Sequence, residues 1–448
     1  MAGMKRLFSL LAMVCLLAAV PARAQTVLQD AETTALFNDM MRPIIEAAGL
    51  DPKNVNIVIL QDPEINAFVA GGQTVYVNSG LIEAADNANE VQGVIAHELG
   101  HIVGGHVPLG GRAMKSPTGI TIASLLLGIA AVAAGAGEAG AGILSAGQRA
   151  AMGSYLAYSR TQEASADAAG ARFLNKAGVS GKGMLEFFKK LQGMEYRLAI
   201  PQDNAYDQSH PLTGDRIAAL TKTLESSPSW NKPESPGIEK RFERVQAKLE
   251  GYIEPLDDVL TQYPKTNTSI PALYARAYAY HRAGYPQEAD AAAAALVKDD
   301  PNDPYFLELQ GQIFLEAGHP QESLTALRKA TQLSNYNPLI ATTFGHALVS
   351  TDDPKNYAEA ETVLKQAVAR DDDNPFAWIQ LGTIYTRQGD EVHAALAKAE
   401  LSDITGDIPM AAVSAKRAMA GLPEGSRDWL RAQDILMVSQ NAMRDKKH

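Results

Sequence analysis

The chain of 448 residues is 46% hydrophobic and 20% charged, enough apolar surface for two or three folded domains and too much for a disordered polymer. A single Cys excludes a disulfide framework and any metal site built from several thiolates. With 40 Lys and Arg against 51 Asp and Glu, the net charge of −11 argues against nucleic acid as a partner, which calls for a basic face.

Residues 1–24 carry a short basic start (Lys5, Arg6), an uninterrupted apolar run from Leu7 to Val20, and Ala22-Arg23-Ala24. That order is a secretory signal peptide with cleavage before Gln25; an uncleaved anchor is the alternative. Cleavage would remove the one Cys, Cys15, together with three cations and no acid, so the mature chain is cysteine-free and more acidic. Ala12-Met13-Val14 ahead of Cys15 is a poor lipidation box.

Residues 25–225 form the first expected domain. It opens with an amphipathic helix (Leu36, Met40, Ile44, Ile45) and two β-like runs, Asn56–Leu60 and Thr74–Asn78. Within it, 116–148 is a Gly/Ala-rich apolar insert, and Gly119–Gly137 has no charge over a length just sufficient to span a bilayer. The abundance of Gly and Ala favours a lid over the cleft or a contact with a membrane surface; a buried core segment and a true span are the other readings. Helical periodicity resumes over Ala150–Leu224. The Pro- and Ser-rich stretch 226–237 reads as a linker.

Residues 238–448 are helical and repetitive. Gly311 and Gly345 are 34 residues apart, Gly382 follows after 37, and repeats start near Ile270, Pro304, Pro338 and Pro375. Trp378, Leu381, Gly382 and Tyr385 carry the W-x-x-L-G-x-x-Y pattern, so this region resembles the tetratricopeptide repeat. An irregular helix pair over Ile238–Tyr263 precedes the repeats, and the tail after Gly389 departs from their spacing. Such solenoids present a concave face to peptides or partner proteins.

The chemistry is concentrated in His97-Glu98-Leu99-Gly100-His101. On a helix, His97 and His101 share one face and can hold one Zn²⁺, while Glu98 can serve the attacking water as general base. His106 lies nine residues beyond His97, about 180° round a continuing helix, so it reads as a structural or supporting residue and not a ligand. The third ligand is expected at Glu163, on a helical stretch where Asp167 falls one turn later and can accept the free N–H of a liganding His. An incidental buried His pair and a solvated acidic face are the bland readings of the two motifs. His281, His319, His346, His393 and His448 read as surface or packing residues.

Taken together, the signal-like leader, Asn66-Ala67-Phe68 before a β-run, H-E-x-x-H, the apolar insert, E-x-x-x-D, Ser209-His210-Pro211 and the repeats resemble one family. It is the gluzincin peptidases of the prenyl-protease and stress-protease superfamily, in particular the periplasmic β-barrel assembly-enhancing group. The resemblance implies an α+β, mainly helical zincin-type metalloprotease domain followed by an all-α tetratricopeptide-repeat solenoid. It also implies a periplasmic zinc endopeptidase that degrades misassembled outer-membrane proteins and assists their assembly, its repeats engaging such clients or the outer-membrane assembly machinery. A chaperone or adaptor with a latent or structural zinc site is the alternative. Asn66, Ala67 and Phe68 would lie on the strand that receives substrate by main-chain pairing. His210 matches the family's His-Pro motif: a fourth zinc ligand, a transition-state donor, or an ordinary turn. Arg216 would neutralise an oxyanion or brace the fold.

Overall fold

The computed structural model describes residues 26–106, 160–198, 210 and 214–445. The expected leader at 1–24, the insert at 116–148, Ser209, Pro211 and His448 lie outside the described residues.

Among the described residues four short strands, β1 (Thr26–Leu28), β2 (Asn56–Gln61), β3 (Ala67–Ala70) and β4 (Thr74–Asn78), form one sheet in the order β1-β2-β4-β3. β2 and β4 are parallel, whereas β1 and β3 pair antiparallel to their neighbours. Against the sheet pack α1 (Ala31–Ala47), α2 (Ser79–Ala84) and α3 (Ala88–Gly104). Then come α4 (residues 160–177), α5 (Lys182–Leu198) and α6 (Gly214–Glu225). The apolar positions read from the sequence as the α1 stripe, Leu36, Met40, Ile44 and Ile45, are all buried in the shared core. α3 is buried from Ala88 to His101, which is why its sequence shows little amphipathic alternation.

The helical repeats follow. α7 (Pro236–Ile253) and α8 (Leu256–Gln262) lead into four helix pairs and two closing helices. The pairs are α9 (Ile270–Arg282) with α10 (Pro286–Asp299), α11 (Pro304–Glu316) with α12 (Pro320–Leu333), α13 (Pro338–Ser350) with α14 (Tyr357–Arg370), and α15 (Pro375–Gln388) with α16 (Glu391–Ile404). α17 (Ile408–Gly421) and α18 (Arg427–Asp445) close the array. The mainly helical architecture is the expected α+β domain followed by an all-α solenoid. Close packing within a pair depends on small residues: a Cβ on Gly311 or Gly345 would lie 2.5 Å from Leu327 or Leu364. Among the described residues, no helix is long and apolar enough to cross a membrane.

The two halves share structure at their junction. Phe242 and Val245 of α7 belong to the same buried cluster as the sheet and α3. Ala31, at the start of α1, packs instead among Leu307, Ala326, Ala330 and Ile340 of the repeats. The stretch read as a linker is fastened down: Ser180 Oγ donates to the Trp230 carbonyl at 2.7 Å, and Trp230 packs on the first domain's core. Charges complete the seam. Glu32 is buried and accepts from Tyr274 Oη at 2.7 Å, with Arg244 at 2.7 Å; Lys248 pairs with Asp30.

A titratable weak point lies at the same seam. Burial, with Glu254 and Glu250 close by, pushes the Glu83 carboxyl up to about 7. A carboxyl raised in the folded state favours folding while protonated, and that contribution is lost as pH rises from the unfolded value through about 7. Glu83→Gln is therefore expected to stabilise the protein at pH 8 by about 1–2 kcal/mol, after allowance for partial solvent screening. The gain should shrink towards pH 5. Melting temperatures across that range check this, and a gain independent of pH contradicts it.

Candidate metal centre

α3 presents the first two donors. Asn87 caps it, its side chain accepting from the Glu90 N–H at 3.0 Å, and Glu90 reaches back to the Asp86 N–H at 2.9 Å. The helical period then brings His97 Nε2 and His101 Nε2 to 3.1 Å from each other. α4 crosses α3 at Gly100, where a Cβ would lie 2.6 Å from the Ala166 carbonyl oxygen. This close approach puts Glu163 into the same space: its carboxylate oxygens lie 3.3 Å from His97 Nε2 and 3.4 Å from His101 Nε2. His210 arrives from a distant part of the chain, with Nδ1 3.3 Å from His97 Nε2 and 3.1 Å from Glu163 Oε2. All four residues are buried.

These separations suit a cation. Tetrahedral ligands about 2.0–2.1 Å from a common ion sit roughly 3.3–3.4 Å apart; the separations given above run from 3.1 to 3.4 Å, and all four donors lie within 4.8 Å of one another. The nitrogen- and oxygen-only donor set fits a borderline divalent metal and needs no thiolate. Burial works against protonating His97, yet Asp167 and Glu163 outweigh it and push this imidazole up to about 10. His101, buried beside it, is pushed down to about 2. Burial would raise Glu163, but His210 and His97 hold it far below the usual carboxylate range.

The surrounding groups hold this set in place. Asp167 Oδ1 lies 3.0 Å from His97 Nδ1, the nitrogen turned away from the other donors. Arg216, on α6, grips Asp167 with Nε and one terminal nitrogen at 2.8 Å each. Its other terminal nitrogen lies 3.2 Å from Glu163 Oε2 and donates to the His210 carbonyl at 3.4 Å. In this state the guanidinium braces three elements of the site. Phe188 of α5 closes one wall, edge-on to His97 at 5.6 Å.

Glu98 is 1% exposed, and both its carboxylate oxygens lack a hydrogen-bond partner. Burial raises its pKa, and the nearest opposing group is His210 Nε2, 3.6 Å from Oε1. A buried, unsatisfied carboxylate beside a metal-type cluster suits a base awaiting a water. Among the described residues β3, carrying Ala67 and Phe68, is one of the two edge strands of the sheet, and it runs against α3. Asn66 precedes it, its carbonyl accepting from the Asn78 N–H at 3.0 Å. Phe68 stacks on Tyr76 across the pair, ring centres 5.1 Å apart.

His106, read from the sequence as a structural or supporting residue off the ligand face, makes its contact with His101. α3 ends at Gly104, and His106 folds back so that its Nδ1 lies 2.9 Å from His101 Nδ1. The Gly-Gly pair before it was the available signal. Because Gly100 sets the spacing of α3 and α4, Gly100→Val is expected to push Glu163 away and weaken metal binding by at least about 10-fold. Chelator competition measures it; unchanged affinity would show that the two helices can separate without moving the donors.

Comparison with known proteins bears on the same residues. The profile of peptidase family M48 matches residues 29–224, the span holding every donor above. The putative β-barrel assembly-enhancing protease of Vibrio cholerae is 26% identical over 63% of this chain and 59% of its own length. The β-barrel assembly-enhancing protease of Escherichia coli K12 is 23% identical over 86% of this chain and 78% of its own. A protease HtpX homologue of Pelotomaculum thermopropionicum is 31% identical over 49% of this chain and 77% of its own. The chain belongs to peptidase family M48, and its first domain is that of a metalloprotease.

Proposed function

We propose that the protein is a zinc endopeptidase of the periplasm that cleaves misassembled outer-membrane proteins, with the repeats engaging these clients. The observation that carries this reading is the buried quartet His97, His101, Glu163 and His210 with the unpartnered carboxylate of Glu98 at its side. The names of the assembly-enhancing relatives support a β-barrel client class, and the signal-like run at residues 1–24 supports export.

His97, His101 and Glu163 would hold the zinc, with His210 as a fourth donor in the resting state. Zinc held there supplies Lewis-acid polarisation of the scissile carbonyl. A client strand pairs with the open edge of β3 at Asn66, Ala67 and Phe68, which aligns its backbone over α3. Glu98 takes a proton onto its carboxylate from the water that attacks the carbonyl carbon, then delivers it to the departing amine nitrogen. His210, which lies against His97 and Glu163, would have to move aside to admit that water. Its Nε2, already 3.6 Å from Glu98, would then face the developing oxyanion, while Arg216 keeps Asp167 and Glu163 aligned.

A second reading, client binding without cleavage, draws on a groove of about 440 Å³ between β1 and the inner face of the repeats. Leu339, Thr343 and Phe376 line it, and it shares no residue with the metal quartet. A chaperone or an adaptor to the outer-membrane assembly machinery would use this groove alone.

One experiment separates the two. Purified protein, with and without a zinc chelator, is incubated with an unfolded outer-membrane β-barrel and an unfolded soluble protein. Chelator-sensitive cleavage of the barrel is expected, with zinc found by metal analysis. Binding that delays aggregation, with no cleavage under any condition, would sink the protease reading and leave the adaptor.

A further inference from the structure

We infer that His106 is a positioning residue for the metal centre: its Nδ1 accepts the Nδ1–H of His101 and thereby commits His101 Nε2 to the metal. The inference rests on the ligand set proposed above. His101 Nε2 is the nitrogen that faces the cluster, 3.1 Å from His97 Nε2 and 3.4 Å from Glu163 Oε1. Its opposite nitrogen, Nδ1, lies 2.9 Å from His106 Nδ1, with the rings edge to face at 4.9 Å. Only one proton fits between two nitrogens at that distance. A metal-bound imidazole is neutral and offers its lone pair, so the proton of His101 must sit on Nδ1. His106 then has to accept at Nδ1 and carry its own proton on Nε2.

The backbone is shaped for this contact. On a continuing helix His106 would point away from His97, but Gly105 ends α3 in the left-handed region (φ 63°) and swings His106 back over the last turn. The ring lands where a Cβ on Gly104 would lie 2.4 Å from His106 Nε2, so a side chain at 104 would displace it. The arrangement parallels His97, whose Nδ1 is held by Asp167 at 3.0 Å. One ligand is thus anchored by a carboxylate and the other by a neutral imidazole, each through the nitrogen turned from the centre. His106 is half-buried while His101 is buried, so the pair spans the rim of the site.

The test reads the metal and the tautomer, not turnover. In ¹⁵N NMR of the wild-type zinc protein, His101 is expected to carry its proton on Nδ1 and His106 on Nε2. His106 protonated on Nδ1 overturns the inference. In chelator competition, His106→Leu is expected to weaken zinc by about 10–100-fold, and His106→Asn, which keeps an acceptor oxygen, to recover most of that loss. Equal losses in both variants, or none in the Leu variant, also overturn it. Should His106→Leu fail to fold by circular dichroism, the NMR tautomer decides. A wild-type protein that binds no zinc sinks the ligand set itself, an outcome distinct from all of these.

Discussion

Glu98→Gln is expected to lower kcat/KM on a protein substrate by about 10²–10⁴-fold while the variant keeps its metal. Gln has nearly the volume of Glu, so α3 and the neighbouring donors need not shift. What it loses is the ability to take a proton from water. The wild-type carboxylate is 1% exposed and both its oxygens lack a hydrogen-bond partner, so the fold bears an unsatisfied buried group there. Removing that charge should leave thermal stability unchanged or raised, the opposite of damage to the core. Peptidase assays alongside metal analysis and melting curves check the three parts. Undiminished cleavage would remove Glu98 from the role of base, and loss of metal would recast it as a support for the donors.

The second large effect concerns the seam between the domains. Lys248→Met is expected to destabilise the folded protein by about 3–5 kcal/mol, since it strands the Asp30 carboxylate and leaves the buried Glu32 to Arg244 and Tyr274 alone. Glu32 is 1% exposed and lies 3.5 Å from the Lys248 ammonium, and Asp30 pairs with the same group. Burial acts to raise the Asp30 carboxyl, but Lys248 overrides it and holds the pKa below the usual range. That contribution is present above the unfolded pKa of Asp30 and lost as pH falls through the lowered one, so acid should weaken the seam in the wild type. In the Lys248→Met variant, the unfolding curve should drop and separate into two transitions as the halves lose their tie. Adding Asp30→Asn should restore part of the loss, since the carboxylate left without its cation is then gone. A single transition at the wild-type position would show that the apolar packing of Ala31, Phe242 and Val245 holds the seam alone.

Much of this molecule is local in origin and so readable from spacing. His97 and His101 share a helix face because four residues are about one turn, whatever surrounds the helix. The repeat helices start at Ile270, Pro304, Pro338 and Pro375, where a Pro at or beside the first turn follows a capping side chain from Ser269, Asp303, Asn337 or Asn374. The hairpin of β3 and β4 was harder to read, because β3 has only four residues and its pattern blends into the neighbouring run. β1 was missed for the same reason, having three residues.

Other features exist only once distant segments meet. That His210 Nδ1 would come within 3.1–3.3 Å of Glu163 and His97 follows from how α4 and α6 pack, not from any spacing along the chain. Arg216 could be read as an oxyanion partner or a brace, and the folded protein engages it with Asp167, Glu163 and the His210 carbonyl. The Pro- and Ser-rich 226–237 reads as a tether by composition, yet Trp230 anchors it to the core, since composition reports chain stiffness and says nothing of what the chain rests against. Periodicity specifies helices, faces and candidate donors because backbone geometry repeats over a few residues. The His101–His106 contact is set locally by the turn at Gly105, whereas donor convergence and the Glu32–Lys248 seam were decided by tertiary packing, because each is a short-range force between groups that the sequence holds apart.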